Sequence, residues 1–325
     1  MRAMVQHIYG HPAEVLRSEE LPTPDVGPEE VLVQVRAASL RIGNLFAVRG
    51  APFLARLSTG LRRPKVGVPG YDISGEVVSV GSGVTKFVVG DEVFGVVNGA
   101  CAEYAIAAES DLVHKPARLT FDEAAAIPTS ALAALHGLRD AAQLQPGQHI
   151  LINGASGGVG TFAVQLAKQM GAQVTGVCST RNLDLLRDLG ADHVIDYTKE
   201  DFTRGEQRYD VILDNVENRS LADCRRVLVR DGTLVLNSGT GSSGMGLMIR
   251  LIRPVLLNPF VSHRLRRFLS NPNQADLAHL GELAESGELR PVVGRTFTLG
   301  DTVAALQYVE TGHARGNVVV AMAAA

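Results

Sequence analysis

Cysteine is nearly absent from this chain of 325 residues: Cys101, Cys178 and Cys224 lie far apart and form no CxxC pair. That spacing excludes a disulfide framework and a cysteine-rich metal site, and it points to a reducing compartment. Charge of one sign is lacking too. The 31 Lys and Arg against 34 Asp and Glu leave a net −3, so the electrostatics give no case for nucleic acid as a partner. Met1 to Gly10 holds no apolar stretch of the signal-peptide kind, and cytoplasm is the expected location. The nine histidines are scattered, with no HxH pair. What the chain does have is apolar residues, 46% of the total, enough to bury one large core or two modest ones.

The most informative stretch is Ile150-Leu-Ile-Asn-Gly-Ala-Ser-Gly-Gly-Val-Gly160, followed by a helix-like run from Thr161 to Met170 that stops at Gly171. It reads as a buried strand, a glycine turn and a helix, and a second strand follows at Gln173 to Cys178. That order suits a dinucleotide pyrophosphate. Small residues let the backbone approach the phosphates, and the helix N-terminus offers free N–H groups with partial positive charge. Gly154, Ala155, Ser156, Gly157, Gly158, Val159 and Gly160 are the residues expected to line it. The spacing is Ala155-x-Gly157-x-x-Gly160 rather than a strict G-x-G-x-x-G.

An NAD site usually places Asp or Glu at the end of the second strand to hold the ribose 2′-hydroxyl. Here that strand ends Val177-Cys178-Ser179-Thr180-Arg181, with two hydroxyls and a guanidinium but no acid. Arg181 suits a 2′-phosphate, and Tyr197, at the end of the next strand, is placed to close over the same group. NADPH is therefore the expected cofactor. A plainer reading makes Ser179 and Thr180 the N-cap of a helix at 181–189, with Arg181 in solvent. The two readings are compatible.

Along the chain the pattern changes twice. Residues 1–122 are rich in β-branched residues broken by Gly and Pro, with short strands expected near 31–35, 73–80, 91–97 and 102–107. An antiparallel, barrel-like β domain follows from them. Residues 123–269 alternate strands and helices, with strands near 149–153, 173–178, 193–197, 209–216 and 232–238. Continuously apolar runs such as Val211-Ile-Leu213 and Leu234-Val-Leu236 predict an α/β, doubly wound parallel sheet covered on both faces. Residues 270–325 read as a helix at 274–286, a β-like stretch at 290–299, a helix at 301–311 and a strand at 317–321, a tail expected to rejoin the first domain.

The chain resembles the zinc-free, quinone-oxidoreductase-like branch of the medium-chain dehydrogenase/reductase superfamily. The resemblance rests on Pro69-Gly-Tyr-Asp-Ile-Ser-Gly75, Val80-Gly-Ser-Gly-Val84, Val89-Gly-Asp91, Ala102-Glu-Tyr104, Glu123-Ala-Ala-Ala-Ile-Pro128, Gln145-Pro-Gly147, the phosphate loop, Leu189-Gly-Ala191 and Asp231-Gly232. These run in family order over nearly the whole chain. Cys178-Ser-Thr-Arg-Asn182 and Gly312-His-Ala-Arg-Gly316 are similar to the subgroup related to reticulon-interacting mitochondrial reductases. The resemblance implies a GroES-like β-barrel substrate domain, a Rossmann domain, a substrate cleft between them, NADPH and homodimers. It also implies cofactor contacts at Thr129, Asn215, Ser238, Gly239 and Asn317.

Zinc alcohol dehydrogenases read Gly-His-Glu where this chain has Gly70-Tyr71-Asp72, and they keep a cysteine ligand in the region that here runs Ala38 to Asn44. The four-cysteine structural zinc loop is missing too, so no metal is expected. Without a Lewis acid, reduction of a quinone or an α,β-unsaturated ketone is the more natural chemistry, the hydride coming from the nicotinamide. Arg41, Asn44 and Tyr71 are the catalytic candidates. The plain alternatives are a solvated turn around Gly43 and a core tyrosine with its hydroxyl tied to backbone. Family members read Asn-Pro-x-Asp where this chain has Arg41-Ile-Gly-Asn44, a change toward positive charge that favours an anionic product or an acidic substrate. A threonine that often faces the nicotinamide is Ala133 here, with Thr129 or Ser130 as stand-ins. Arg315-Gly-Asn317 replaces the common Arg-Gly-Lys, and the tyrosine of enoyl-thioester reductases is absent from Arg49 to Phe53, which argues against an acyl-thioester.

One apolar stretch, Met245 to Phe260, carries Arg250, Arg253, Pro254 and Pro259, which rule out a membrane-spanning helix. A lid suited to a small lipophilic substrate, a dimer contact, a buried helix and, less readily, a membrane-surface contact all fit it. From another class, a non-catalytic NADPH-binding redox sensor or structural protein remains as an alternative function; within the enzyme class, an alcohol dehydrogenase is the weaker one.

Overall fold

The computed structural model describes residues 1–51, 53, 56–237, 254 and 256–322. They form two compact units, Met1–Thr129 with Pro272–Ala325, and Ser130–Asn271.

The first unit is built on one long strand, β3 (Glu30–Leu40), preceded by a pair β1 (Arg2–Val5) and β2 (Arg17–Glu20). Around β3 stand β4 (Asp72–Val80), β5 (Glu92–Val96), β6 (Tyr104–Ala108) and β7 (Leu112–His114). The tail returns as β14 (Val293–Thr298) and β15 (Asn317–Ala321), giving the order β14-β15-β3-β4-β5-β7 with β6 also on β3. All pairings are antiparallel except β14 with β15. Val31, Val33, Val35, Ile73, Val77, Val93 and Val318 fill its interior, the β-branched packing the composition leads one to expect. A short helix, Phe121–Ala125, is capped reciprocally by Thr120 and Glu123 and belongs to this unit.

The second unit is a parallel sheet of β8 (His149–Asn153), β9 (Gln173–Cys178), β10 (His193–Asp196), β11 (Tyr209–Asp214), β12 (Leu228–Leu236) and β13 (Arg264–Arg267). The order is β10-β9-β8-β11-β12-β13. Strand order therefore reverses between β8 and β11, and in such sheets ligands settle at the carboxyl ends of the strands flanking that reversal. Ile150, Leu151 and Ile152 are fully buried, each stabilising the sheet by about 1.5–3 kcal/mol.

Two elements differ from the sequence reading. The helix after the phosphate loop runs Gly158–Gln169, so Gly158, Val159 and Gly160 form its first turn rather than preceding it. The strand β13, Arg-Leu-Arg-Arg, has a single apolar residue and was not expected; it forms because β12 offers a parallel edge with unmet backbone groups. Residues 245–253 and 255, the centre of the apolar stretch, lie outside the described residues.

Candidate functional site

Each glycine of the phosphate loop does a different task. Gly154 turns the chain with φ +75°, a conformation open to glycine at little cost. The Ala155 N–H donates to Val177 O at 3.0 Å, tying the loop to β9, and the Gly157 N–H donates to Gly154 O at 3.1 Å. Gly160 lies so close to the loop that a Cβ would fall 2.2 Å from Gly154 O and 2.6 Å from the Ala155 Cα. At Gly157, the N-cap, a Cβ would meet nothing nearer than Gly154 O at 3.5 Å. The protein's own packing thus demands glycine at 160 but not at 157. The helix that follows begins with N–H groups that have no intrahelical acceptor. These features fit a pyrophosphate cradle.

At the end of β9 the hydroxyls are arranged by neighbours 16 and 26 residues away in sequence. Thr180 Oγ1 donates to Asp196 at 2.5 Å, and Ser156 Oγ accepts from Asn182 Nδ2 at 3.0 Å. Ser179 stands at the N-cap of the Thr180–Asn182 turn but makes no side-chain cap bond, so the capping reading fails for its hydroxyl. Arg181 is exposed, and Tyr197, 43% exposed, is tied to the strand end by its N–H to Cys178 O at 3.0 Å. Ser179, Thr180, Arg181 and Tyr197 therefore follow the carboxyl ends of the paired strands β9 and β10.

Asp196 corrects the picture of a site without acid, since β10 brings one beside Thr180. Hydrogen bonds from the Thr180 and Thr198 hydroxyls and the Thr198 N–H lower its carboxyl from 3.8 to about 2. A lowered carboxyl adds stability above its unfolded value and loses it as pH falls through the folded one. Wild-type protein should thus melt above an Asp196→Asn variant at neutral pH, with the gap closing between about pH 4 and pH 2. Melting curves at stepped pH check this; a gap independent of pH contradicts it.

The neighbouring strand ends are laced together by amides. Asn153 Nδ2 donates to Asp214 Oδ1 at 2.8 Å, Asn215 Nδ2 to Asn153 O at 3.2 Å, and Asn237 Nδ2 to Asn215 Oδ1 at 2.8 Å. Asn215 is thereby fixed at the switch point. Ser238 and Gly239 lie outside the described residues. Beside this network Asp214, Glu217, Arg219, Ser220 and Cys224 border a cavity of ≈ 290 Å³.

The first unit carries a second cluster. Asp72, at the start of β4, is 1% exposed and accepts hydrogen bonds from the Thr129 hydroxyl and N–H. Arg41 Nε lies 3.6 Å from its other oxygen, and the Arg41 guanidinium sits 5.7 Å from the Tyr71 ring centroid. Burial raises the Asp72 carboxyl, opposed by Arg41 and by the Thr129 hydrogen bonds. Asn44 is fully buried and its Oδ1 accepts from the Arg41 N–H at 2.9 Å, starting the Ile42–Arg49 helix. Arg41 and Asn44 do not form a solvated turn. Tyr71 is half-buried rather than a core aromatic. Asn317 is buried with its N–H on Val292 O at 2.8 Å, and the Val318–Leu40 pairing sets it level with Arg41. The structure thus gathers Arg41, Asn44 and Tyr71 and adds Asp72.

Comparison with known proteins bears on the family of the chain. Residues 27–117 match the family model described as alcohol dehydrogenase GroES-like domain, and residues 189–320 match zinc-binding dehydrogenase. The 2-methylene-furan-3-one reductase of Solanum lycopersicum is 34% identical, over 98% of this chain and 79% of its own length. The mitochondrial NAD(P)H oxidoreductase RTN4IP1 of Mus musculus is 33% identical, over 98% and 89%. The quinone oxidoreductase of Escherichia coli, solved with NADPH, superposes with a TM-score of 0.84 at 25% identity, covering 99% of this chain and 100% of that one.

The chain belongs to the medium-chain dehydrogenase/reductase family. Its relatives place it in the quinone-oxidoreductase-like branch. One of the two family descriptions names zinc. Catalytic zinc takes three converging ligands, and among the described residues no group of three His, Cys, Asp or Glu converges. Asp72 is already engaged by Thr129 and by a cation that cannot ligate metal. His7 and His11 are four residues apart, but His7 Nε2 is 3.0 Å from Glu19 and His11 only leads into the short Pro12–Val15 helix.

The site residues that sequence reasoning missed are Asp72, Asn182 and Asp196. For Asp72 the signal was present in its place in the Gly70-Tyr71-Asp72 run and for Asn182 in the Cys178-Ser-Thr-Arg-Asn182 run; for Asp196 it was not.

Proposed function

We propose that this protein uses NADPH to reduce quinones or α,β-unsaturated carbonyl compounds, without a metal. The observation that carries the reading is the Arg41–Asp72 ion pair. It occupies both stretches in which zinc alcohol dehydrogenases hold catalytic ligands, and it leaves a cation in place of a Lewis acid.

The first unit is the acceptor domain and the second is the cofactor domain. Bound NADPH would supply a hydride. Arg41, held by Asp72 on one side and the Tyr71 ring on the other, stabilises negative charge that develops on the acceptor oxygen. A quinone's oxyanion is a weak base and takes its proton from water. An enone needs a proton at Cα as well, and Tyr71, whose ring lies beside the Arg41 guanidinium, is the hydroxyl assigned to the carbonyl end. In the cofactor domain Gly157 leaves room for the pyrophosphate, while Ser179, Arg181 and Tyr197 receive the 2′-phosphate. Thr129, whose hydroxyl is committed to Asp72, serves the cluster rather than contributing a free donor.

A homodimer is supported by β13, which among the described residues ends its sheet, and by Leu256, Phe260 and Leu269, which are 64%, 85% and 90% exposed. A cytoplasmic home is supported by three buried free cysteines. No helix among the described residues is long and apolar enough to cross a membrane.

The reaction is checked with NADPH deuterated at the transferable C4 position and an open-chain enone. Deuterium at the β-carbon of a saturated ketone is the expected product. Deuterium on a carbinol carbon would show carbonyl reduction and contradict the proposal.

A further inference from the structure

Asn182 stands at the start of a helix that it does not cap. It holds the N-cap position of Leu183–Asp188, where asparagine normally accepts from an N–H of the first turn, yet its side chain makes no such bond. The residue is 3% exposed. Its Nδ2 donates to Ser156 Oγ at 3.0 Å and to Ser179 Oγ at 3.4 Å, and its N–H donates to Ser179 O at 2.9 Å. Its Oδ1 is enclosed without a hydrogen-bond partner. An unmet buried acceptor weakens a fold, and the two donor bonds from Nδ2 offset part of that cost.

A serine hydroxyl has one proton and can also accept. When it accepts from Asn182, its own proton points elsewhere. Ser156 sits in the phosphate loop and Ser179 at the end of β9, so one buried amide occupies an acceptor site on both oxygens and leaves both protons for other acceptors. Donors are what phosphate oxygens need, and such charge-assisted bonds are the strong ones.

We infer that Asn182 is a positioning residue that couples the pyrophosphate loop to the 2′-phosphate end of the cofactor site, by holding Ser156 and Ser179 as hydrogen-bond donors. It touches neither phosphate itself. The inference rests on the NADPH reading above and adds to it a specificity device shared by the two ends of the nucleotide.

Asn182→Asp tests it. The replacement is close in shape but only accepts, so it draws both hydroxyl protons inward and sets a negative charge beside two anionic groups. Dissociation constants of NADPH and NADH are read from nicotinamide fluorescence, with melting temperature measured alongside. The Kd for NADPH is expected to rise at least about tenfold, and that for NADH by less, because NADH lacks the 2′-phosphate. Asn182→Ala removes the donor without adding charge and should show the same order at smaller size; it carries the test if the aspartate variant fails to fold. Unchanged Kd values in a folded variant, or equal losses for the two nucleotides, would overturn the inference. Wild-type protein that does not bind NADPH would instead overturn the cofactor reading, a result seen before any substitution is made.

Discussion

Gly160→Ala is expected to abolish measurable NADPH binding while leaving a folded, less stable protein. Its new Cβ would overlap Gly154 O at 2.2 Å and the Ala155 Cα at 2.6 Å, all of it backbone that no side-chain rotation can clear. The Gly158–Gln169 helix must back away from the loop. Overpacking of this kind costs about 1–3 kcal/mol, and the helix N-terminus that would face the pyrophosphate moves with the helix. Gly157→Ala separates the two consequences. Its Cβ meets only an ordinary contact at 3.5 Å, with φ at −84°, so its melting temperature should match wild type. NADPH affinity should fall nonetheless, because the methyl group takes the space through which the pyrophosphate approaches. A Gly157→Ala variant that binds NADPH like wild type would mean that the phosphates lie elsewhere.

Asp72→Asn is expected to separate activity from stability. Burial raises the Asp72 carboxyl, so the ionised form is disfavoured in the fold, and its contribution to stability falls as pH rises above the ordinary carboxylate value of 3.8. The amide removes that penalty while still accepting from Thr129. Against this, Arg41 loses its counter-charge, but its side chain is 34% exposed and can be solvated. Melting temperature near pH 7 should therefore stay level or rise. Turnover should not survive as well. With Asp72 neutral, only the Tyr71 ring orients Arg41, and kcat/KM for the acceptor is expected to drop about 10- to 100-fold while the KM for NADPH holds. Arg41→Ala should cause a similar loss, and the double variant little more, since the two act through one contact. Steady-state kinetics on the three variants decide it. Full activity in Asp72→Asn would remove Arg41 from the acceptor site.

Much of the fold was legible because its signals are local. The apolar run Ile150-Leu-Ile152, the glycines after it and the helix at 274–286 announce themselves over a few residues, and the structure bounds that helix at Gln274–Ser286. The strand β13 was not legible, since Arg264-Leu-Arg-Arg267 acquires strand character only from the edge of β12. The sites divide the same way. Placing Ser179, Thr180, Arg181 and Tyr197 after the carboxyl ends of β9 and β10 needs only the βαβ pattern. The partners that organise them come from far along the chain: Thr129 reaches Asp72 across 57 residues, and Asn182 reaches Ser156 across 26. The absence of acid at the end of β9 was correct as sequence, yet β10 delivers Asp196 to the same place. Parallel pairing set His193–Asp196 against Thr175–Cys178, a register that no pattern within either strand declares.

The decisive measurement is NADPH oxidation by chelator-treated protein, shown free of bound metal, with a small quinone and a medium-chain enone as parallel acceptors. Turnover on at least one acceptor, unchanged by added zinc and faster with NADPH than with NADH, is the expected result. Activity that appears only when zinc is restored, or NADPH that binds and is never oxidised by either acceptor, would contradict a metal-independent reductase built on Arg41 and Asp72.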